Sequence, residues 1–258
     1  MTLREIPLQH VRPAAHAGNL DALLDQRRST RDFSPQSLKL SHVADLAWAA
    51  QGSTTAGTRT CPSAHARYPL TLTVVAGNVA DLPAGTYAYD GERHVLAPVA
   101  SGDHRDAVAR TTLADHDWLS RAPALLMLSG DLASANASFG EQPPHGRRGE
   151  RYVWLEAGHA SQNVYLRAAE AGLGAVLVAG FDDDRLIALN PTIVPSGQHP
   201  LALLGIGHRA DRVPAELFSL SGEGDPDVLG LEELVDADRA ALPSEPGLLD
   251  PAKGRGRI

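Results

Sequence analysis

Residues 151–184, RYVWLEAGHASQNVYLRAAEAGLGAVLVAGFDDD, constrain the fold more than any other stretch of the chain. From about 152 to 171 there is no proline. The strong helix formers Leu155, Glu156, Leu166, Arg167, Ala168, Ala169 and Glu170 predict one long helix. Trp154, Gly158, Ser161, Tyr165 and Ala168 recur at three- and four-residue spacing, a stripe of bulky and small side chains that lets another backbone come close. Gly172 and Gly174 are placed to stop the helix as left-handed caps. A buried strand is expected over 175–179, ending at Gly180-Phe181-Asp182, where a glycine suggests main chain that must approach something closely. An ordinary helix–turn–strand core unit fits the same pattern.

The rest of the chain must cover that unit. Its 258 residues, 43% hydrophobic and 21% charged, suffice for one sizeable core with an extension. No apolar run approaches the roughly 20 residues of a membrane helix, and MTLREIPLQHVRP lacks a signal peptide's apolar region. One cysteine, Cys61, forms no internal disulfide; it fits a reducing, cytoplasmic location and reads as a small buried residue. The net charge of −8 argues against nucleic acid as the partner. From residue 211 onward 11 acidic and 5 basic residues give −6, leaving −2 for the first 210.

In order, 1–18 reads as irregular. A helix over about 20–27 carries Leu20, Leu23 and Leu24 inward with Asn19 as N-cap. It delivers Arg27-Arg28-Ser29-Thr30-Arg31, whose guanidinium groups and hydroxyls suit a phosphate; a solvated basic helix end is the plainer alternative. Ser41 caps a helix through Val43, Leu46, Ala47 and Ala50 to Gly52. A Gly/Thr-rich loop leads to Cys61-Pro62-Ser63-Ala64-His65-Ala66-Arg67-Tyr68-Pro69 and a strand over 70–75. Tyr87, Tyr89, Asp90-Gly91, His94 and Leu96 read as a hairpin. Short helices near 103–112 and 115–119 precede a strand over 124–129. Residues 131–150, with Pro143-Pro144, Gly140, Gly146 and Gly149, read as a long loop or lid. Asp182 caps a helix to Leu189, Asn190-Pro191 breaks it, and 200–207 is a buried strand ending at His208-Arg209. An acidic Pro/Gly-rich extension follows from 211, with one helical island over 231–242. The element order favours an α+β sandwich with a largely antiparallel or mixed sheet over a Rossmann sheet.

Several chemistries lack their signatures. There is no GxGxxG, GxxxxGK[ST], HExxH or GxSxG. Glu156-x-x-His159 occurs once where a di-iron site needs it twice, so a hydrogen-bonded core histidine is expected and no metal. Asp182-Asp183-Asp184 reads as a helix cap.

RRSTRDF, PSAHARYPL, the TYAYD hairpin, RYVWLEAGHASQNVYLRAAEAGLGAV with AGFDDD, and PLALLGIG occur in one order over about 20–209. Together they resemble the FMN-dependent nitroreductase superfamily, in particular its SagB-type branch with the azoline dehydrogenases. The resemblance implies an FMN-binding domain over 19–210 with a nitroreductase-like α/β sandwich: a central sheet, flanking helices and a long helix at a dimer interface. It implies a homodimer with FMN between the subunits. Arg27, Ser29 and Arg31 match phosphate and ribityl contacts, with Arg28 contributing main chain. Pro62, Ser63 and Ala64 match the loop that lines the flavin from the other subunit; Ala66 stands where many members carry Asn, and Arg67 substitutes for it. Ala179 and Gly180 match the main-chain pair that reaches flavin N5 and O4, and Arg209 a further phosphate contact. The cofactor would carry the hydride chemistry.

The implied activity is hydride transfer between flavin and NAD(P)H or a small organic substrate. The alternatives are dehydrogenation of an azoline or other peptide-derived intermediate, or a non-catalytic flavin-binding scaffold. No lysine lies between Lys39 and Lys253, so the Lys-Tyr pair typical of azoline dehydrogenases has no counterpart here. His145 and Tyr152 are then the nearest acid–base groups.

Overall fold

The structure, a computed structural model, describes residues 4–8, 20–189 and 193–210. The expectations for Asn19, for the Asn190-Pro191 break and for the extension from 211 lie outside the described residues.

The elements, in chain order, are β1 (Ile6–Pro7), α1 (Leu20–Gln26), β2 (Leu38–Lys39), α2 (Leu40–Gln51), β3 (Leu70–Ala76), β4 (Val79–Ala80), β5 (Gly85–Asp90), β6 (Val95–Ser101), α3 (Arg105–Ala109), α4 (His116–Leu119), β7 (Ala124–Gly130), α5 (Leu132–Ser138), α6 (Arg148–Glu170), β8 (Leu173–Val178), α7 (Asp183–Leu189) and β9 (His199–His208). Seven strands form one sheet in the order β1-β6-β5-β3-β7-β9-β8, and every neighbouring pair is antiparallel. This is the α+β sandwich expected from the element order.

The pleat explains the two cores. Successive side chains of β7 point to opposite faces. Leu126 and Leu128 meet Val153, Ala157, Ala160 and Val164 of α6 and Val43 and Leu46 of α2. Leu125 and Met127 meet Val108, Leu119 and Leu186 from α3, α4 and α7. Because helices cover both faces, β7 is buried throughout and reads as a continuous apolar run, ALLMLSG. Each buried leucine or methionine of this run stabilises the fold by about 1.5–3 kcal/mol.

Helix α6 buries Gly149, Val153, Glu156, Ala157, Ala160, Ser161, Val164 and Ala168, a three- and four-residue repeat on one face. An ion pair from Arg167 to Asp45, 2.7 Å long and largely shielded from water, clamps it to α2. Gly172 ends it with φ +70°, the left-handed cap expected.

Several expectations need correction. The long helix begins at Arg148 and absorbs Gly149, which a side chain could not replace: a Cβ there would stand 2.1 Å from the Ala135 carbonyl of α5. The region read as a loop over 131–150 therefore holds α5, capped by Asp131 accepting the Ser134 amide at 2.8 Å, and only its middle is irregular. Gly174 is not a cap. It lies inside β8, where its missing side chain leaves room for Thr30, 2.5 Å from where a Cβ would sit. Leu20 and Leu24 do not face inward but are 57% and 49% exposed. Ser41 lies inside the first turn of α2, and His42 Nδ1 accepts the Lys39 amide at the helix start. The helical stripe divides, with Ser161 and Ala168 buried and Trp154 and Gly158 exposed. Ile6–Pro7, in the segment read as irregular, pairs with β6.

Candidate functional site

The segment leaving α1 is laid against the free edge of β8. Ser29 bridges Ala175 in parallel fashion, and the Thr30 amide donates to the Ala175 carbonyl at 3.0 Å. Phe33 bridges Arg209, and the Ser34 amide donates to the His208 carbonyl at 2.9 Å. The sheet edge thus brings Arg27, Ser29 and Arg31 to the place where β9 delivers Arg209, although 178 residues of chain separate Arg31 from it (209 minus 31).

Tyr165 of α6 anchors this corner. Its hydroxyl accepts the Leu177 amide at 2.7 Å and lies 3.2 Å from Ser29 Oγ, while the Arg27 guanidinium sits 5.3 Å from its ring centroid. Arg31 lies 5.9 Å from the Trp118 ring, and Arg209 Nε donates to the Leu173 carbonyl at 3.3 Å. Arg28 turns away, bonding the Asp25 and Arg27 carbonyls. Among the described residues neither Arg27 nor Arg31 forms an ion pair with a carboxylate. Two guanidinium groups resting on aromatic faces keep their donor edges for an anion.

Beyond β8 the chain turns at Ala179 and Gly180, both exposed. The Gly180 carbonyl accepts the Leu113 amide at 2.9 Å, and Asp182 caps α7 by accepting the Arg185 amide at 3.0 Å. Among the described residues nothing requires glycine at 180: a Cβ there would meet only Leu113 Cδ1, at 3.9 Å.

The loop with Pro62, Ser63, Ala64 and Arg67 is held elsewhere on α6. The Asn163 side chain donates to the Thr60 carbonyl at 3.2 Å and the Cys61 thiol to the Glu156 carbonyl at 3.2 Å. Among the described residues no hydrogen bond, ion pair or ring contact joins Pro62, Ser63, Ala64 or Arg67 to Arg27, Ser29, Arg31, Ala179, Gly180 or Arg209. Within one chain the expected residues therefore form two separately anchored groups.

His145 and Tyr152 form a third corner. Tyr152 donates to Gln142 Oε1 at 3.0 Å and packs edge-on to Phe139 at 4.9 Å, while His145 Nδ1 lies 3.3 Å from the Gly140 carbonyl. Phe139 also meets His65 at 5.3 Å, so this corner touches the 62–67 loop through an aromatic column.

One residue carries more than the sequence reading gave it. Glu156 is buried and His159 exposed, the reverse of the expected core histidine. Burial pushes the Glu156 carboxyl up to about 7, against the Ser63 hydrogen bond and the Arg59 charge, which both lower it. The same burial, with the Glu156 charge, pushes the Cys61 thiol up to about 12, so Cys61 is the inert buried residue expected. A carboxylate recurring in register with Val153, Ala160 and Val164 on an apolar helix face was the signal for Glu156.

The profile of the Nitroreductase family matches residues 24–208. A protein of Methanocaldococcus jannaschii assigned to the nitroreductases is 32% identical over 193 residues, spanning 74% of this chain and 92% of the relative. A crystal structure from Ralstonia eutropha, assigned likewise, superposes with a TM-score of 0.65 at 29% identity over 81% of this chain and 91% of that one. A chain of the Escherichia coli microcin synthetase McbBCD complex shares the fold, with a TM-score of 0.59 at 24% identity over 72% of this chain and 70% of that one. On the extent of these matches the chain belongs to the nitroreductase family of oxidoreductases.

Proposed function

We propose that this chain is an FMN-dependent oxidoreductase of the SagB-type branch, acting as a homodimer on NAD(P)H and a small organic substrate. The observation that carries the reading is the pair Arg27 and Arg31, poised on Tyr165 and Trp118 and without a carboxylate partner among the described residues, beside Ser29 and Arg209. FMN suits these residues. Its dianionic phosphate calls for paired charged donors, which this corner offers inside an acidic protein. Its ring calls for close main chain, and no packing contact among the described residues requires the glycine at 180.

Arg27, Arg31 and Arg209 would bind the phosphate, Ser29 the ribityl chain, and the Ala179–Gly180 main chain the N5 and O4 edge. When bound, FMN supplies two-electron hydride acceptance and donation at N5. The protein orients it and keeps an unreactive amide donor at that edge.

The two-group anchoring supports a dimer, because Pro62, Ser63, Ala64 and Arg67 then serve the site of the other copy. The surface for it is the exposed side of α6, where Trp154 is 42% and Leu155 56% exposed beside Gly158. A Cβ at Gly158 would meet no atom of the described residues within 4 Å, yet a glycine inside a helix costs about 1 kcal/mol relative to alanine. A neighbouring backbone pressed against that face accounts for it. The acid–base corner 142–152 contains no lysine, so the reading stops short of azoline dehydrogenation.

Purified protein tests the reading directly. It should be yellow, and NADH or NADPH added without oxygen should bleach it. A flavin-loaded protein that no nicotinamide reduces contradicts the nicotinamide half, and one that binds no flavin contradicts the whole.

A further inference from the structure

Leu113 is 75% exposed, the highest value among the described large apolar residues. A single exposed leucine on a free loop needs no explanation. Leu113 is not on a free loop. Its amide donates to the Gly180 carbonyl at 2.9 Å, Thr112 bridges Phe181 in antiparallel fashion, and the Thr111 carbonyl accepts the Asp182 amide at 2.8 Å. Thr111, Thr112 and Phe181 are buried, and the two threonine hydroxyls donate to the Val108 and Ala109 carbonyls at 2.7 Å. Three consecutive links therefore hold 111–113 against 180–182. The main chain cannot turn the leucine into the core without breaking them.

The side chain leans over Gly180. Neighbours in the chain aside, Leu113 Cδ1 is the only atom of the described residues within 4 Å of a Cβ built at that glycine. Five residues on, Trp118 packs against the core beneath α3, α4 and α7 and holds Arg31 at 5.9 Å from its ring. The segment 113–118 thus touches the arginine corner at one end and Gly180 at the other. These are the two places assigned above to the phosphate and to the N5 edge of FMN. A leucine fixed at the second place offers an apolar surface to a flat ring, and it keeps water from the main chain at 180, where a hydrogen bond strengthens as water leaves.

We infer that Leu113 is a cofactor-contact residue: its side chain packs on the ring end of bound FMN beside Gly180. This rests on the flavin reading above and deepens it. The contact exists only with the cofactor in place, so it stabilises the loaded protein and not the empty one.

The test is FMN titration of the full chain, followed by flavin fluorescence, for wild type, L113A, L113M and V99A. Val99 is the control, 40% exposed on β6, which three strands separate from β9 and β8. L113A should weaken FMN about tenfold, as the loss of roughly two CH2 groups from an apolar contact requires. L113M keeps the volume and should bind within about threefold of wild type. V99A should bind FMN as wild type does. Flavin-free L113A should melt with flavin-free wild type, whereas a structural role for the leucine would lower its melt. The absorption bands of flavin bound to L113A should move toward those of free FMN, which a loss of stability would not produce. Wild-type affinity and spectrum in L113A, or equal weakening by V99A, overturn the contact and leave the flavin reading intact. Weaker self-association of L113A with unchanged FMN affinity places Leu113 in the subunit interface and overturns the contact as well. Wild-type protein that takes up no FMN overturns the flavin reading itself.

Discussion

Ser29 Oγ lies 3.2 Å from the hydroxyl of Tyr165, 136 residues further along the chain. The same hydroxyl accepts the Leu177 amide at 2.7 Å, so one phenol ties the arginine segment, the long helix and the edge strand together. Y165F deletes the acceptor and leaves the Leu177 amide without its partner. Thermal unfolding should show a loss of about 1–3 kcal/mol. S29A, at an exposed residue, should leave the melt nearly unchanged and weaken FMN binding.

Gly174 and Gly180, six residues apart, should respond oppositely to alanine. A Cβ at 174 would stand 2.5 Å from Thr30 Cγ2, so G174A must push the 29–30 segment off β8. Its cost should be about 1–3 kcal/mol, in the range of overpacking. At 180 the nearest atom is 3.9 Å away, so G180A should leave unfolding within about 0.5 kcal/mol of wild type while weakening FMN binding. Calorimetry with a parallel flavin titration separates the two effects.

Gly158 gives a prediction whose sign depends on the dimer. In an isolated subunit G158A should stabilise α6 by about 1 kcal/mol, since the site is open and alanine is the better helix former. Against a partner's backbone the added methyl should weaken self-association. Sedimentation velocity over a concentration series reads this, and the account expects weaker association.

The pH dependence of stability follows from Glu156. Its folded carboxyl titrates near 7, above the ordinary carboxylate value of about 4.3. The folded state therefore keeps a proton that the unfolded chain releases. This contribution is fully present below about pH 4, declines between there and 7, and is lost above 7. The groups facing the carboxyl are Arg59, Ser63 and Cys61; Arg59 and Ser63 moderate the effect and Cys61 stays protonated throughout. E156Q should flatten the decline in melting temperature between pH 5 and 7.

The sequence exposed most of the frame and only half of the site. β7 and β9 were legible because strands covered on both faces read as unbroken apolar runs. Helix α5 was not, because LASANAS carries too few large apolar residues to show a period, and Gly149 reads as a loop signal until its contact with Ala135 is seen. Leu20 and Leu24 showed an apolar face without showing what covers it, which no single-chain periodicity can tell. Arg27, Ser29 and Arg31 were legible as a charge cluster; that Tyr165 seats them depends on β8 folding back along α6. Glu156 reads in the sequence as half of a metal spacing with His159, whereas the fold buries Glu156 against the apolar face of α6 and leaves His159 exposed.

The measurement closest to the central claim is the FMN content per chain of R27A/R31A against wild type, both saturated with FMN and desalted. Each charge-assisted contact contributes about 1.5–3 kcal/mol, so the account predicts a yellow wild type and a colourless, folded double variant. A double variant that retains one FMN per chain would contradict the placement of the phosphate at Arg27 and Arg31.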